Sequence, residues 1–433
     1  MEILKGQQLC TCGKRHNGIL DEYVIERGAI NRTAEFVKKY GKKHAFLLAD
    51  ANTFAVAGAQ IAQNLTENGI SYSQFVFSAG IKPDEHAVGS AIMHYDASCD
   101  IIIGIGSGVI NDIGKIVAKT SGNPYIIVAT APSMDGYASG SSSMEVDGLK
   151  TSLNTKCADV VIGDIDILKN APQRMLVSGI GDMLAKYVSI CEWRIGHVIT
   201  GEYYCERVAE LIRTALKRCV DNAEGLLRRE EEAVKAVFEG LVIGGVAMAF
   251  AGVSRPASGV EHYFSHVWDM RGLEFGTKVD LHGIQCAVGT YIAAGLYEKV
   301  LAITPDEEKA LAYAKAFDYS AWAEQLRIFL GTAADTMIAL EEKEQKYSVA
   351  KHQARLQVIL EKWDTLCRII REEIPSQKKI ADILEQIDAP KTPAEIGIDC
   401  DLLTTFKATK DIRDKYVLSR LLWDLGLLET AFV

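Results

Sequence analysis

The sequence is expected to hold no apolar stretch approaching the roughly 18 residues that span a bilayer. Its start shows no apolar run between a basic end and a small-residue cleavage site. The expectation is a cytoplasmic, soluble chain with no membrane partner. Positive charge is short as well: 47 Lys and Arg face 57 Asp and Glu, a net charge of −10. With a pI near 5.5, this argues against non-specific binding to nucleic acid or to an anionic membrane. An anionic small substrate stays open, because the local field matters more than the total. The ten cysteines come without a secretion signal and read as reduced thiols rather than a disulfide framework. In CTCGKRH, Cys10, Cys12 and His16 look like a fragment of a metal knuckle. The second cysteine pair of such a site is missing, so the segment reads as an ordinary N-terminal stretch.

At 433 residues, 48% of them hydrophobic, the chain is long enough for two or three units with sizeable cores. From His44 onward, short apolar runs alternate with longer helical stretches. Phe46 to Ala49 predicts a strand ending at Asp50, Gln74 to Phe77 a second, Asp100 to Ile105 a third and Tyr125 to Ala129 a fourth. The run from Cys157 to Ile162 predicts a last one. Helical stretches lie between them, from about Thr53 to Asn64, Asp84 to Tyr95 and Val109 to Lys119, and such alternation predicts an α/β fold with a parallel sheet. From Pro172 onward the pattern is helical throughout. The expected division is an α/β domain over 1–168 and an all-helical domain over 169–433.

Two places in the α/β half suit a ligand. The third strand runs into Gly104-Ile-Gly106-Ser107-Gly108, and a helical stretch follows at once. Glycines let backbone amides approach a phosphate, and a helix N-terminus offers unpaired N–H groups and a positive dipole end. The turn lacks the G-x-G-x-x-G spacing of the usual dinucleotide fingerprint. Asp50, at a strand end, is placed to accept hydrogen bonds from ribose hydroxyls, with a helix N-cap as the competing reading. The segment Thr130 to Ser143 is dense in hydroxyls and small residues, and Asp135 is its one charged side chain. It follows a strand of a parallel sheet, where ligands of open α/β sheets bind.

The helical half carries the histidines. His262 and His266 stand four apart, on one face of a helix, and His282 lies sixteen residues beyond the second. Neutral imidazoles bind zinc, nickel or iron, and two of them with a carboxylate make an open catalytic site. Asp182, among apolar residues in GIGDMLAKY, is a costly place for a carboxylate unless it is paired or metal-bound. A plain helical carboxylate is the alternative, as is a histidine cluster that binds nothing.

In order along the chain, GIGSGVINDIGK, ATAPSMDGYASGSSSM, SGIGDMLAKY, SRPASGVEHYFSH and LHGIQCAVGTY resemble the sn-glycerol-1-phosphate dehydrogenases, including their AraM-like branch. That group sits within the superfamily of iron-type alcohol dehydrogenases, glycerol dehydrogenases and dehydroquinate synthases. The resemblance implies an N-terminal α/β dinucleotide-binding domain followed by a helical metal domain. It implies Asp182, His262 and His282 as ligands of one divalent metal (zinc, nickel or iron), and His266 as a substrate contact. It further implies Gly106, Ser107, Gly108, Val109 and Ile110 around the pyrophosphate of NAD or NADP. Thr130, Ala131, Pro132, Ser133 and Ser139 become further cofactor contacts, Asp50 the adenosine-ribose contact, and Asp135 and Asp182 substrate contacts. Where many relatives have HGE, this chain has His282-Gly-Ile284, which leaves the source of a supporting carboxylate open.

The activity implied is hydride transfer between NAD(P)H and dihydroxyacetone phosphate, giving sn-glycerol 1-phosphate, with the metal as Lewis acid. A small phosphorylated substrate and a homo-oligomer, dimer or larger, are expected. Arg255 and Lys278 flank the histidine segment as candidate phosphate partners. Three alternatives remain: a dehydrogenase of unphosphorylated glycerol or a related polyol, a dehydroquinate-synthase-like cyclase, and a non-catalytic binding protein on the same scaffold, which the presence of all three proposed ligands disfavours.

Overall fold

The computed structural model describes residues 9–16 and 20–432. Its six-stranded sheet is parallel throughout, in the order β1-β8-β5-β4-β2-β3. The strands are β1 (Glu22–Glu26), β2 (His44–Asp50), β3 (Ser71–Phe77), β4 (Ile101–Gly106), β5 (Tyr125–Ala129) and β8 (Val160–Asp164). Every residue of β4, β5 and β8 is buried, as continuous Ile and Val runs require in a sheet covered on both faces. On one face Leu47, Ile103, Ile126 and Ile162 pack with Phe36, Val37, Ile61 and Leu65 from the flanking helices. On β4 and its following helix, Gly104 and Gly114 make room for one ring: a Cβ at either would stand 2.3 or 2.5 Å from the Tyr125 hydroxyl.

The expected strands are all present, within a few residues of their predicted limits. Two features were not anticipated. β1 is a short edge strand beside β8, and its half-exposed EYVIE pattern carries little apolar signal. The end of the hydroxyl-rich segment enters an antiparallel hairpin, β6 (Ser141–Val146) and β7 (Leu149–Asn154). Asp147 and Gly148 turn it with φ of 51° and 75°, the two left-handed residues of a tight hairpin turn.

Beyond β8 the described residues are helical, without a further strand. The chain forms two compact units, one of residues up to Met183 with Arg207–Val253 and one of Leu184–Glu206 with Ser254–Val433. The sheet-bearing unit therefore takes in the helix Glu231–Ala251, which lies well past residue 168. That helix is 21 residues long and apolar enough, by length and composition, to cross a membrane, contrary to the expectation that no such stretch exists. It is a core helix: 72% of its most apolar window is buried. Gly245 lies so close to the backbone of Ala138 that a Cβ would meet it at 2.7 Å, and Phe238 fills the space beside Gly163.

Candidate active site

In the sheet-bearing unit the chain runs outward from β2 to β3, returns to β4 on the other side of β2, and continues through β5 to β8. The carboxyl ends of β2 and β4 thus flank the point where the winding reverses, the crevice in which open α/β sheets bind ligands. Asp50 ends one of these strands and Gly106 the other. Asp50 caps the following helical turn, its Oδ1 accepting the Thr53 N–H at 2.9 Å while Thr53 Oγ1 accepts the Asp50 N–H at 3.1 Å. The N-cap reading of Asp50 is therefore realised.

The helix Gly108–Ser121 starts directly after β4, with Ser107 at its N-cap and no side chain capping it. The N–H groups of its first turn point out of the helix without intrahelical acceptors. The two glycines here do different things. A Cβ on Gly106 would strike Ile110 at 2.6 Å, whereas one on Gly108 would meet only Met134, at 3.6 Å. Gly106 is needed by the fold, and Gly108 leaves open the approach to the helix N-terminus.

Beside this turn, Ser107 Oγ pairs with Ser133 Oγ and accepts from the Tyr137 hydroxyl at 3.1 Å. The Thr130 N–H donates to the Gly106 carbonyl at 3.1 Å. Ala131 and Pro132 are buried between them. Ser139 is engaged from within: the buried Lys115 ammonium donates to Ser139 Oγ at 3.3 Å and to the carbonyls of Gly136 and Ser141. The helix Gln173–Leu184 reads the same loop along one face. Gly179 meets Pro132 so closely that a Cβ would lie 1.8 Å from its carbonyl oxygen. Ser178 Oγ donates to the Ser133 carbonyl at 2.8 Å, and Asp182 Oδ2 accepts the Asp135 N–H at 2.9 Å. Asp182 is fully buried.

In the second unit, the helices Val260–Phe275 and His282–Val300 pack against each other and bring the histidines together. The ring centroids of His262 and His282 are 5.0 Å apart, and those of His266 and His282 6.1 Å. Ligand atoms of His262, His282 and Cys286 lie within 4.8 Å of one another. Both imidazoles are oriented through Nδ1. Glu261 Oε1 lies 2.7 Å from His262 Nδ1, and Ser265 Oγ 3.0 Å from His282 Nδ1. A carboxylate can only accept, so His262 Nδ1 carries the proton and Nε2 presents its lone pair, the form a metal ligand takes.

Three residues at this cluster escaped sequence reasoning. Glu261 supplies the carboxylate that the missing HGE left open, from a position next to His262. Ser265 holds His282 and is itself held by Gln285 Nε2, at 3.0 Å. Cys286 stands one helical turn after His282, a spacing visible in the sequence. Glu261 is buried and also accepts the Gly259 N–H at 2.8 Å. Neighbouring Glu192 accepts the Val260 N–H at 2.9 Å. Burial and then repulsion from Glu261 push the Glu192 carboxyl up to about 8.

Of the two candidate phosphate partners, Arg255 is buried and committed. It pairs with Glu202 and donates to the Tyr416 carbonyl at 2.8 Å. Lys278 is exposed.

Comparison with known proteins decides the family. The chain is 34% identical over 294 residues, 67% of its length, to the glycerol-1-phosphate dehydrogenase [NAD(P)+] of Halalkalibacterium halodurans, 74% of which is covered. The chain belongs to the glycerol-1-phosphate dehydrogenase family. Another family member, from Thermococcus sibiricus, is 36% identical over 255 residues, 59% of this chain and 71% of that protein. Residues 24–172 match the iron-containing alcohol dehydrogenase family model, the wider group to which glycerol-1-phosphate dehydrogenases were expected to belong. The crystal structure of glycerol dehydrogenase from Schizosaccharomyces pombe has the same fold, with a TM-score of 0.63 at 18% identity over 95% of this chain and 89% of that one.

Proposed function

We propose that the chain is a metal-dependent oxidoreductase that interconverts dihydroxyacetone phosphate and sn-glycerol 1-phosphate with NAD or NADP. Family membership supports the substrate and cofactor class. The observation that carries the chemistry is the pair His262 and His282, held through Nδ1 by Glu261 and Ser265 with ring centroids 5.0 Å apart. With Asp182 as third ligand, this donor set of one carboxylate and two imidazoles suits zinc, nickel or iron. When bound, the ion supplies Lewis acidity at the C2 carbonyl and the nicotinamide supplies the hydride.

The chain's own residues do the rest. The first-turn N–H groups of Ser107, Gly108, Val109 and Ile110 bind the cofactor pyrophosphate. Asp50 keeps its second carboxylate oxygen for a ribose hydroxyl, and Thr130, Ala131, Pro132, Ser133 and Ser139 shape the wall beside it. Glu261 holds the His262 tautomer, and Ser265 aims His282. His266 positions a substrate hydroxyl or hands a proton to the C2 oxygen. Asp135 hydrogen-bonds a substrate hydroxyl. In this reading the dinucleotide-binding function belongs to the α/β part and the metal chemistry to the helical part. The enzyme works in the cytoplasm as a homo-oligomer, dimer or larger, which light scattering on the purified protein measures.

The experiment is turnover of metal-loaded protein with NADH or NADPH and dihydroxyacetone phosphate, followed by chiral analysis of the product. The expected product is sn-glycerol 1-phosphate. Formation of the 3-phosphate enantiomer would overturn the stereochemical assignment.

A further inference from the structure

The N-terminal segment was read from sequence as ordinary, for want of a second cysteine pair. In the structure it is a built hairpin. Leu9 and Arg15 bridge antiparallel, the Cys10 N–H donates to the Lys14 carbonyl at 2.9 Å, and the Gly13 N–H donates to the Cys10 carbonyl at 2.9 Å. Gly13 takes φ of 83°, a left-handed turn residue that only glycine adopts freely. The tight reversal turns Cys10, Cys12 and His16 to one side, and their ligand atoms lie within 4.8 Å of one another. Cys10 and His16 are buried.

The state of His16 decides what the cluster suits. Its Nδ1 lies 3.0 Å from the carbonyl oxygen of Phe250, and a carbonyl can only accept, so Nδ1 carries the proton. Nε2 then presents its lone pair to Cys12 Sγ, 3.5 Å away. A lone pair facing a sulfur across that distance suits a cation shared between them. With metal–sulfur and metal–nitrogen bonds of about 2.3 and 2.0 Å, a tetrahedral ion holds its S and N ligands about 3.5 Å apart. The carbonyl on the far nitrogen is the support that metal-bound histidines regularly have. Lys14 Nζ donates to the Ala251 carbonyl at 3.3 Å, and the His16 ring packs on Phe250 at 5.5 Å, so the hairpin is anchored to the end of the helix Glu231–Ala251.

We infer that Cys10, Cys12 and His16 bind a second, structural ion of the thiophilic divalent class, zinc foremost, distinct from the ion proposed at His262 and His282. Each thiol gives up its proton on binding, so thiolate charge offsets that of the dication and lowers the cost of burying it. The ion staples the N-terminal segment to the C-terminal end of the helix Glu231–Ala251. None of its ligands takes part in the proposed hydride transfer.

The test uses the full chain purified without chelator from zinc-supplemented cells, with metal content measured by elemental mass spectrometry. Cys12→Ser and His16→Ala each lose one equivalent of zinc per chain, while turnover stays within about twofold, as expected for a site that is structural rather than catalytic. His16→Cys keeps the zinc and adds one sulfur to the coordination shell read by zinc-edge X-ray absorption, which separates lost ligation from failed folding. Zinc content unchanged in both Cys12→Ser and His16→Ala overturns the inference. So does a Cys10–Cys12 disulfide in the protein as isolated. The result is independent of the proposed activity, since metal content and sulfur count are read without substrate.

Discussion

The two candidate sites are built from different parts of the chain. At the sheet, the ligand-facing groups are backbone: first-turn N–H groups of the helix Gly108–Ser121, exposed because Gly108 has no side chain and Gly106 lets Ile110 pack beneath. At the histidine cluster they are side chains, brought within 4.8 Å by two packed helices and held by Glu261 and Ser265. A backbone site tolerates changes of side-chain identity but not of side-chain bulk at one or two positions. A side-chain site fails by loss of a single functional group while bulk matters little. Substitutions of the two kinds should therefore separate cleanly into cofactor and metal phenotypes.

The largest effect is expected from His262→Ala or His282→Ala. Each should strip the metal and lower kcat by about three orders of magnitude, as expected when Lewis-acid stabilisation is removed. His266→Ala should retain the metal and lose about 10² in kcat, the scale of one general acid–base contact. Elemental analysis beside kinetics reads both numbers, and equal metal loss in His266→Ala would merge the roles assigned to these histidines.

Next in size is Gly108→Val, which should raise the KM for NAD(P)H by about 10- to 100-fold, equivalent to about 1.4–2.7 kcal/mol, with metal content unchanged. Cofactor titration by fluorescence measures it; unaltered affinity in a folded variant would remove this turn from the cofactor site. Glu261→Gln should weaken metal affinity by about 10- to 100-fold, the usual cost of losing a partner behind a metal-bound histidine. Competition with a chromophoric chelator reads that shift, and an unchanged affinity would make Glu261 a helix-capping carboxylate only.

The smallest effect sharpens the contrast within the glycine turn itself. Gly106→Ala should cost about 1–3 kcal/mol of stability through the clash with Ile110, while Gly108→Ala should leave stability within about 0.5 kcal/mol. Denaturant unfolding of the two variants decides it. Equal destabilisation would mean that both glycines serve packing.

What the sequence revealed follows the same division. Strands buried on both faces announce themselves as continuous apolar runs, of Phe and Leu in β2 and of Ile and Val in β4, β5 and β8, so these strands and the turn at Gly106 were legible. β1 was not, because an edge strand with three half-exposed or exposed residues has no such run. The β6–β7 hairpin was masked by its serines, although Asp147-Gly148 is a recognisable hairpin turn. The histidine spacing pointed to a cluster, but spacing along one helix cannot say which residues of a second helix it meets. Glu261, Ser265 and Cys286 emerged only when the two helices were packed. Arg255 illustrates the reverse error: a cation beside the site by sequence, it is committed to Glu202 by the fold.

The most direct test of the central claim is a comparison of kcat/KM for dihydroxyacetone phosphate and for unphosphorylated dihydroxyacetone, using metal-loaded enzyme with a chelated control. The account predicts a preference for the phosphate ester of at least about 10²-fold, as expected where a charged group is recognised by paired polar contacts, and loss of both activities on chelation. Rapid reduction of dihydroxyacetone with no response to its phosphate would contradict the substrate assignment and make the enzyme a glycerol-type dehydrogenase on the same fold.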